Sequence, residues 1–256
     1  MSGLPTDDRG WFELVLSNQS PLWRLMAEAC GGGVWADDDL QAALVPASPN
    51  RSFFNSVFYG DTERLLDSLP RLAEAYDRAG VNAWTVWVPA TDERARAGLE
   101  EAGHVLDATP RAMGFELSAL RTPDPDPELE MREEMDMELL RQINETAYGY
   151  PPGDFPPIAP MPGTEAYLAS IDGETVGSTL VWAPGEDAEI IFVATLPEAR
   201  GRGVARRLLA FALEQQRAGG KSASTLISTK LGFPVYRALG YKEVGGFEMW
   251  ERRKAA

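Results

Sequence analysis

Ala188-Glu189-Ile190-Ile191-Phe192-Val193-Ala194-Thr195-Leu196-Pro197-Glu198-Ala199-Arg200-Gly201-Arg202-Gly203-Val204-Ala205 is an apolar run, a proline and then a loop of glycine and arginine. Ala188 to Thr195 has the length and the β-branched and aromatic content of a strand. Val204 to Arg217 carries Leu208, Leu209, Phe211 and Ala212 at helical spacing. The loop from Arg200 to Ala205 therefore joins a strand to a helix, and its amides can project together at the positive end of the helix dipole. Gly201 and Gly203 let a ligand approach the backbone, while Arg200, Arg202 and Arg206 add positive charge. Two readings fit: a pyrophosphate site, or a glycine-bearing helix start with exposed arginines. A dinucleotide fingerprint does not fit, because Arg206 stands at the third glycine position and no acidic residue lies in 221–225.

Working outward, Glu165–Ser170 and Thr175–Trp182 read as a hairpin across Asp172-Gly173, followed by the strand Ala188–Thr195. Beyond the helix, Thr225–Ser228 reads as a short strand, Pro234–Leu239 as a helix ended by Gly240, and Gly246–Glu251 as a last strand. Upstream, Gly149 to Pro157 holds four prolines and two glycines and must be a loop. Leu129 to Ala147 has a helical pattern with Met135, Leu139, Leu140 and Ile143 on one face. Thr122-Pro123-Asp124-Pro125-Asp126-Pro127-Glu128 alternates proline with carboxylates and is read as a linker. The expected division is 1–121, a linker over 122–130, and 131–256.

The first half repeats the order of the second: a strand at Ser52–Tyr59, a helix at Thr62–Gly80, a strand at Ala83–Val88, a helix at Glu93–Gly103 and a strand near Met113–Leu117. Gly98-Leu99-Glu100-Glu101-Ala102-Gly103-His104 echoes Val235-Tyr236-Arg237-Ala238-Leu239-Gly240-Tyr241, and each precedes a Gly-Phe-Glu strand. The fold class expected is α/β with a mixed sheet, built as two copies of one fold. The first copy reads as degenerate. It has Leu99 opposite Tyr236, and Tyr59-Gly60-Asp61-Thr62-Glu63 at its strand-to-helix junction brings carboxylates that would repel a pyrophosphate.

Composition narrows the chemistry. A net charge of −15 over 256 residues is unfavourable for a nucleic-acid partner. Cys30 is the only cysteine and His104 the only histidine, so disulfides, multi-cysteine metal sites and two-histidine zinc sites are excluded, and no metal is expected. Cys30 reads as a small buried hydrophobe. The start, Met1 to Asp8, lacks a leader pattern, and no run of about 18 apolar residues occurs, so neither export nor a membrane is expected and a cytoplasmic location is.

The Arg200–Ala205 loop resembles the Q/R-x-x-G-x-G/A signature of the GNAT N-acetyltransferase superfamily. Ala188–Thr195 resembles that superfamily's fourth strand, and Val235–Tyr241 resembles its terminal Y-x-x-x-G-[FY] motif. The resemblance spans about residues 130–250, and over the whole chain it extends to bacterial tandem GNAT-like proteins. It implies the acyl-CoA N-acyltransferase fold with acetyl-CoA as acyl donor. By the same resemblance, the backbone of Val193, Ala194 and Thr195 pairs with pantetheine, and Gly201, Arg202, Gly203, Val204 and Ala205 hold pyrophosphate with Arg200 and Arg206 beside them. Thr229 stands where many members carry an asparagine near the coenzyme, and Gly232 replaces a frequent alanine.

The resemblance makes Tyr236 the acid that protonates the leaving thiolate, and Glu189 a base acting through water on a small-molecule or peptide amine. Alternative readings are a core tyrosine and a solvated glutamate. For the acceptor, Tyr148, Tyr150 and Phe155 on the proline-rich loop are candidates, with Asn55, Trp84 and Trp87 as pocket or packing residues. A coenzyme-binding sensor without turnover is the alternative function.

Overall fold

The structure, a computed structural model, describes residues 4–254. Residues 1–3, which open the terminal stretch without a leader pattern, and residues 255–256 lie outside the described residues. In chain order the elements are α1 (Asp8–Ala29), β1 (Gly33–Asp37), β2 (Leu40–Leu44), β3 (Ser56–Phe58), α2 (Thr62–Arg78), β4 (Ala83–Pro89), α3 (Glu93–Glu101), β5 (Val105–Ala108), β6 (Arg111–Glu116), β7 (Leu129–Glu133), α4 (Met137–Tyr148), β8 (Thr164–Ile171), β9 (Glu174–Trp182), β10 (Asp187–Thr195), α5 (Val204–Ala218), β11 (Ala223–Ser228), α6 (Phe233–Leu239) and β12 (Lys242–Arg253).

They form two compact units, neither continuous in sequence. The first holds Leu16–Pro110, Pro156–Ala159 and the chain from Gly245; the second holds the chain up to Val15, Arg111–Phe155 and Pro160–Val244. In the first unit the strand order is β1-β2-β3-β4-β12, with β5 on β12, and only β3 and β4 run parallel. Leu65, Leu69, Leu72 and Tyr76 recur at helical spacing on α2 and share a core with Trp84, Val86 and Val88 of β4.

In the second unit the order is β6-β11-β10-β9-β8-β7, and only β10 and β11 run parallel. Leu208, Leu209, Ala212 and Leu213 of α5 share a core with Tyr167, Ala169, Ala188 and Ile190. Each such fully buried leucine contributes about 1.5–3 kcal/mol. The hairpin turns on Asp172 and Gly173, both at positive φ (52° and 80°), the conformation of a two-residue type I′ turn.

The repeat is visible in the element order, β3–α2–β4–α3 against β10–α5–β11–α6. The strands that follow these runs are exchanged. The strand expected near Met113–Leu117 is β6, and it pairs with β11 in the second unit. The Gly246–Glu251 strand lies in β12 and pairs with β4 and β5 in the first. Both carry Gly-Phe-Glu, so local pattern announced a strand in each case and could not announce its partner.

Two stretches differ from expectation. Ser52–Tyr59 is not one strand: Ser52–Phe54 is a 3-10 turn, and only Ser56–Phe58 pairs. The Asn55 side chain accepts from the Val45 amide at 2.8 Å and donates to the Ser48 carbonyl at 3.0 Å, bonds that compete with a ladder. Leu129–Ala147 is not one helix either. Leu129–Glu133 pairs with β8, and the helix starts after Asp136, whose carboxylate accepts from the Leu139 amide at 2.9 Å as an N-cap. Met135, expected on the apolar face, is exposed.

The Thr122–Glu128 stretch is tied to α5 and the loop before it. Thr122 donates to Glu214 at 2.7 Å, Arg207 donates to the Asp124 carbonyl at 2.9 Å, and Arg202 pairs with Glu128 at 3.1 Å.

Candidate functional site

The site begins where two strands part. The parallel pairing of β10 with β11 runs from Asp187↔Ala223 to Ile190↔Leu226 and, among the described residues, goes no further. At the same point the β10–β9 register shifts between Ile191 and Ala194, and Phe192 sits at φ 53°. That is a β-bulge with a non-glycine residue in the left-handed region, a strained arrangement typical of functional sites. The edge of Val193–Thr195 is thereby turned out of the β11 ladder. The hydroxyl of Thr195 is buried with no hydrogen-bond partner.

A 3-10 turn at Pro197–Ala199 leads into the glycine loop. Gly201 and Gly203 adopt φ 76° and 78°, where a side chain would be strained. A Cβ on Gly201 would meet nothing within 4 Å, so the space before the helix is open there. The helix α5 then begins at Val204 with no side-chain cap and no acidic residue in its first turn. An uncapped N-terminus of this kind presents amides and a positive dipole to an anion. The Nε of Arg206, in that first turn, is buried without a hydrogen-bond partner. Open space, two left-handed glycines and two orphaned polar groups, Thr195 and Arg206, fit a bound pyrophosphate and the chain attached to it.

The other arginines are already engaged. Arg200 donates to the carbonyls of Thr195 (3.2 Å) and Ala147 (2.5 Å), so it ties the end of β10 to the last turn of α4. Arg202 pairs with Glu128, an exposed contact worth little by itself. Arg207, which the sequence reading passed over, donates to the Arg202 carbonyl at 3.0 Å and so braces the loop. Its position four residues after Gly203 was the available signal. Ala205, like Gly203, is partly exposed at this junction.

Tyr236 is 8% exposed on α6, its ring 5.8 Å from that of Tyr241. Burial, aided by Tyr148 and Tyr241, pushes its phenol above the ordinary range, so it keeps its proton near neutrality. Gly232 is needed beside it, because a Cβ there would meet the Tyr236 ring at 2.8 Å. That is the physical reason for glycine where alanine was the commoner residue of the resemblance. The Thr229 hydroxyl accepts from the Gly232 amide at 3.2 Å and starts α6. Glu189 lies on β10 opposite Thr225 and Trp182 and is 2% exposed.

Tyr148 ends α4 and donates to the carbonyl of Val193 at 3.1 Å. Its phenol is pushed up to about 12 by burial, with Tyr150 adding to the shift. Tyr148 stacks on Tyr150 (6.0 Å), Tyr150 meets Phe155 (6.1 Å), and Phe155 meets Phe192 edge-on (5.4 Å). Phe155 is buried, so it supports this loop from within. Glu145, also missed in the sequence, fastens the loop by accepting from the amides of Gly153 (2.6 Å) and Phe155 (3.3 Å).

Asn55 and Trp87 correct the acceptor list. Asn55 is fully buried and saturated by backbone partners, and Trp87 is buried, donates to Ser56 at 2.8 Å and stacks on Phe58. Trp84 is likewise core, stacked on Tyr76. A cavity of about 310 Å³ lined by Arg121, Arg237, Gly240, Tyr241 and Lys242 lies at the far end of α6 from Gly232. Among the described residues, no group of three or more metal-ligating side chains occurs, and no helix is long and apolar enough to cross a membrane.

Residues 162–243 match the family described as an acetyltransferase (GNAT) domain. No curated protein matches the chain in sequence. In fold it is similar to a GCN5-related N-acetyltransferase from Kribbella flavida, with a TM-score of 0.70, 18% identity and coverage of 99% of this chain and 98% of that one. A GCN5-related N-acetyltransferase from Sphaerobacter thermophilus gives 0.61 at 17% identity, over 84% of this chain and 76% of the other. A tandem GNAT protein from the clavulanic acid biosynthesis pathway gives 0.59 at 15% identity, over 85% and 79%. Over residues 162–243 the sequence matches the GNAT acetyltransferase domain family, and along its length the chain is similar in fold to GNAT proteins.

Proposed function

We propose that the second unit binds acetyl-CoA and that the protein is an N-acetyltransferase acting on a primary amine, small-molecule or peptide. The observation that carries this reading is the start of α5: two left-handed glycines and an uncapped, carboxylate-free first turn, beside the orphaned Thr195 hydroxyl and Arg206 Nε. Gly201 to Ala205 would hold the pyrophosphate, and Val193, Ala194 and Thr195 the pantetheine in the manner of an added strand. When bound, the coenzyme supplies an activated thioester. Attack by a neutral amine forms the C–N bond as the C–S bond breaks, with no enzyme-bound intermediate. Tyr236, held protonated by burial, would return a proton to the departing sulfur. Glu189 takes the ammonium proton through water in this scheme. Acceleration then rests on alignment and polarisation of the carbonyl by strand amides.

The experiment is release of free CoA from acetyl-CoA by the full chain against a panel of amines. Release with at least one amine supports the enzyme. Tight acetyl-CoA binding without release for any amine would favour the sensor reading.

A further inference from the structure

We propose that Tyr148 is a latch on the coenzyme edge: its hydroxyl holds the carbonyl of Val193 until the coenzyme arrives, and its release loosens the loop that faces the acceptor. The inference rests on the coenzyme reading of the β10 edge given above. Pairing between β10 and β11 ends at Ile190, three residues before Val193. Beyond that point the Val193 carbonyl is met by a side chain, at 3.1 Å. Tyr148 is 46% exposed although its hydroxyl end is enclosed, and the hydrogen bond and the stack on Tyr150 hold it in place. A single neutral hydrogen bond of this kind shifts an equilibrium by only about twofold to tenfold, which suits a contact that must open.

The same geometry supplies a relay. Gly149, at φ 69°, ends α4 and turns the chain away immediately after the latch residue. The aromatic run from Tyr148 through Tyr150 and Phe155 then returns to Phe192, the neighbour of Val193 in the bulge. The loop is therefore pinned at both ends to two consecutive residues of one strained bulge, with Glu145 holding its middle. Any group that claims the Val193 carbonyl and the space of the Tyr148 ring unpins one end. Coenzyme entry would in this way precede and permit acceptor entry.

A carbonyl has two lone pairs, and sharing it would leave Tyr148 in place. The sign of one substitution separates the cases. Acetyl-CoA affinity is measured by calorimetry on the full chain, wild type against Tyr148→Phe. A latch opposes binding, so the variant should bind about threefold to tenfold more tightly. Unchanged or weaker affinity overturns the latch and leaves the coenzyme reading standing. Failure of the wild type itself to bind overturns both.

Amide exchange provides the second reading. Acetyl-CoA should speed exchange across residues 149–155 in the wild type, and Tyr148→Phe should show the faster rate without coenzyme. Exchange in the wild type that is unmoved by coenzyme also overturns the proposal.

Discussion

The two strand-to-helix junctions of this chain are built from the same order of elements and differ in what fills the helix N-terminus. At α5 the first turn has no side-chain cap and no carboxylate, and the space at Gly201 just before it is open. At α2 the Asp61 carboxylate accepts from the Arg64 amide at 2.8 Å, and Glu63 follows in the first turn. Arg64 is in turn bonded to Asp38 and lies 3.3 Å from Asp39. Thr62 and Tyr59 both donate to Asp92, at 2.6 and 2.8 Å. Burial would raise the Asp92 carboxyl, but these bonds and the Ala95 amide outweigh it and hold it below the ordinary range. The protein's own anions thus occupy at α2 the place that, in the proposed function, α5 offers to a ligand. The repeated element order supplies two helix dipoles, one capped by a side-chain carboxylate at α2 and one left without a side-chain cap at α5.

The comparison breaks most severely at Tyr236. Phenylalanine there makes the second unit resemble the first, where Leu99 stands, and kcat should fall by about 10²–10⁴ while acetyl-CoA affinity is kept. Steady-state kinetics with calorimetry check this, and full turnover would remove Tyr236 as the acid. Next, Gly203→Glu gives α5 the carboxylate that marks α2 and a side chain at φ 78°. Acetyl-CoA affinity should drop more than about a hundredfold, from repulsion and backbone strain together. Calorimetry on protein with an unaltered circular dichroism spectrum decides it, and undiminished affinity would sink the pyrophosphate assignment.

The first unit offers two smaller tests. His104, the counterpart of Tyr241 in the echo, is buried edge-on against Trp84 and its pKa is lowered to about 4, by burial and then by Arg252. A histidine with a lowered folded pKa binds more protons when unfolded, so stability falls as pH drops from about 6.5 toward 4. The shift corresponds to about 3 kcal/mol at most. The difference between wild type and His104→Phe in denaturant melts should shrink by up to that amount across this window. A constant difference would refute the assignment. Smallest is Asp61→Ala, which should cost about 1 kcal/mol of stability through the lost cap and give no acetyl-CoA binding. A gain of binding would show that the carboxylate alone silenced the first unit.

The sequence carried the hairpin, β10, α5 and the glycine loop because short-range chemistry determines them: alternation, a two-residue turn at Asp172-Gly173 and glycines demanding positive φ. The short helix that carries Tyr236, ended by Gly240, was legible in the same way. What it could not carry depends on residues distant in sequence. Whether β6 or β12 closes a given sheet is invisible to periodicity, since both read Gly-Phe-Glu. For Asn55 and Trp87 the choice between pocket and packing was open because their partners, the Val45 amide and the Ser56 hydroxyl, are set by tertiary folding. The bond from Tyr148 to Val193 joins residues 45 positions apart. Leu129–Glu133 was misread because Asp136, three residues past the strand, is the true start signal of the helix.

The exchange of β6 and β12 fixes when this chain can finish folding. Domains made early in synthesis usually fold as they leave the ribosome. Here the first unit waits for β12, because β4 pairs with β12 from Phe247↔Pro89 to Arg253↔Ala83. Until β12 has been made, β4 keeps an open edge, the kind of surface that invites pairing with another chain. A cut at the Thr122–Glu128 stretch would therefore leave two fragments, each lacking a strand that the other carries.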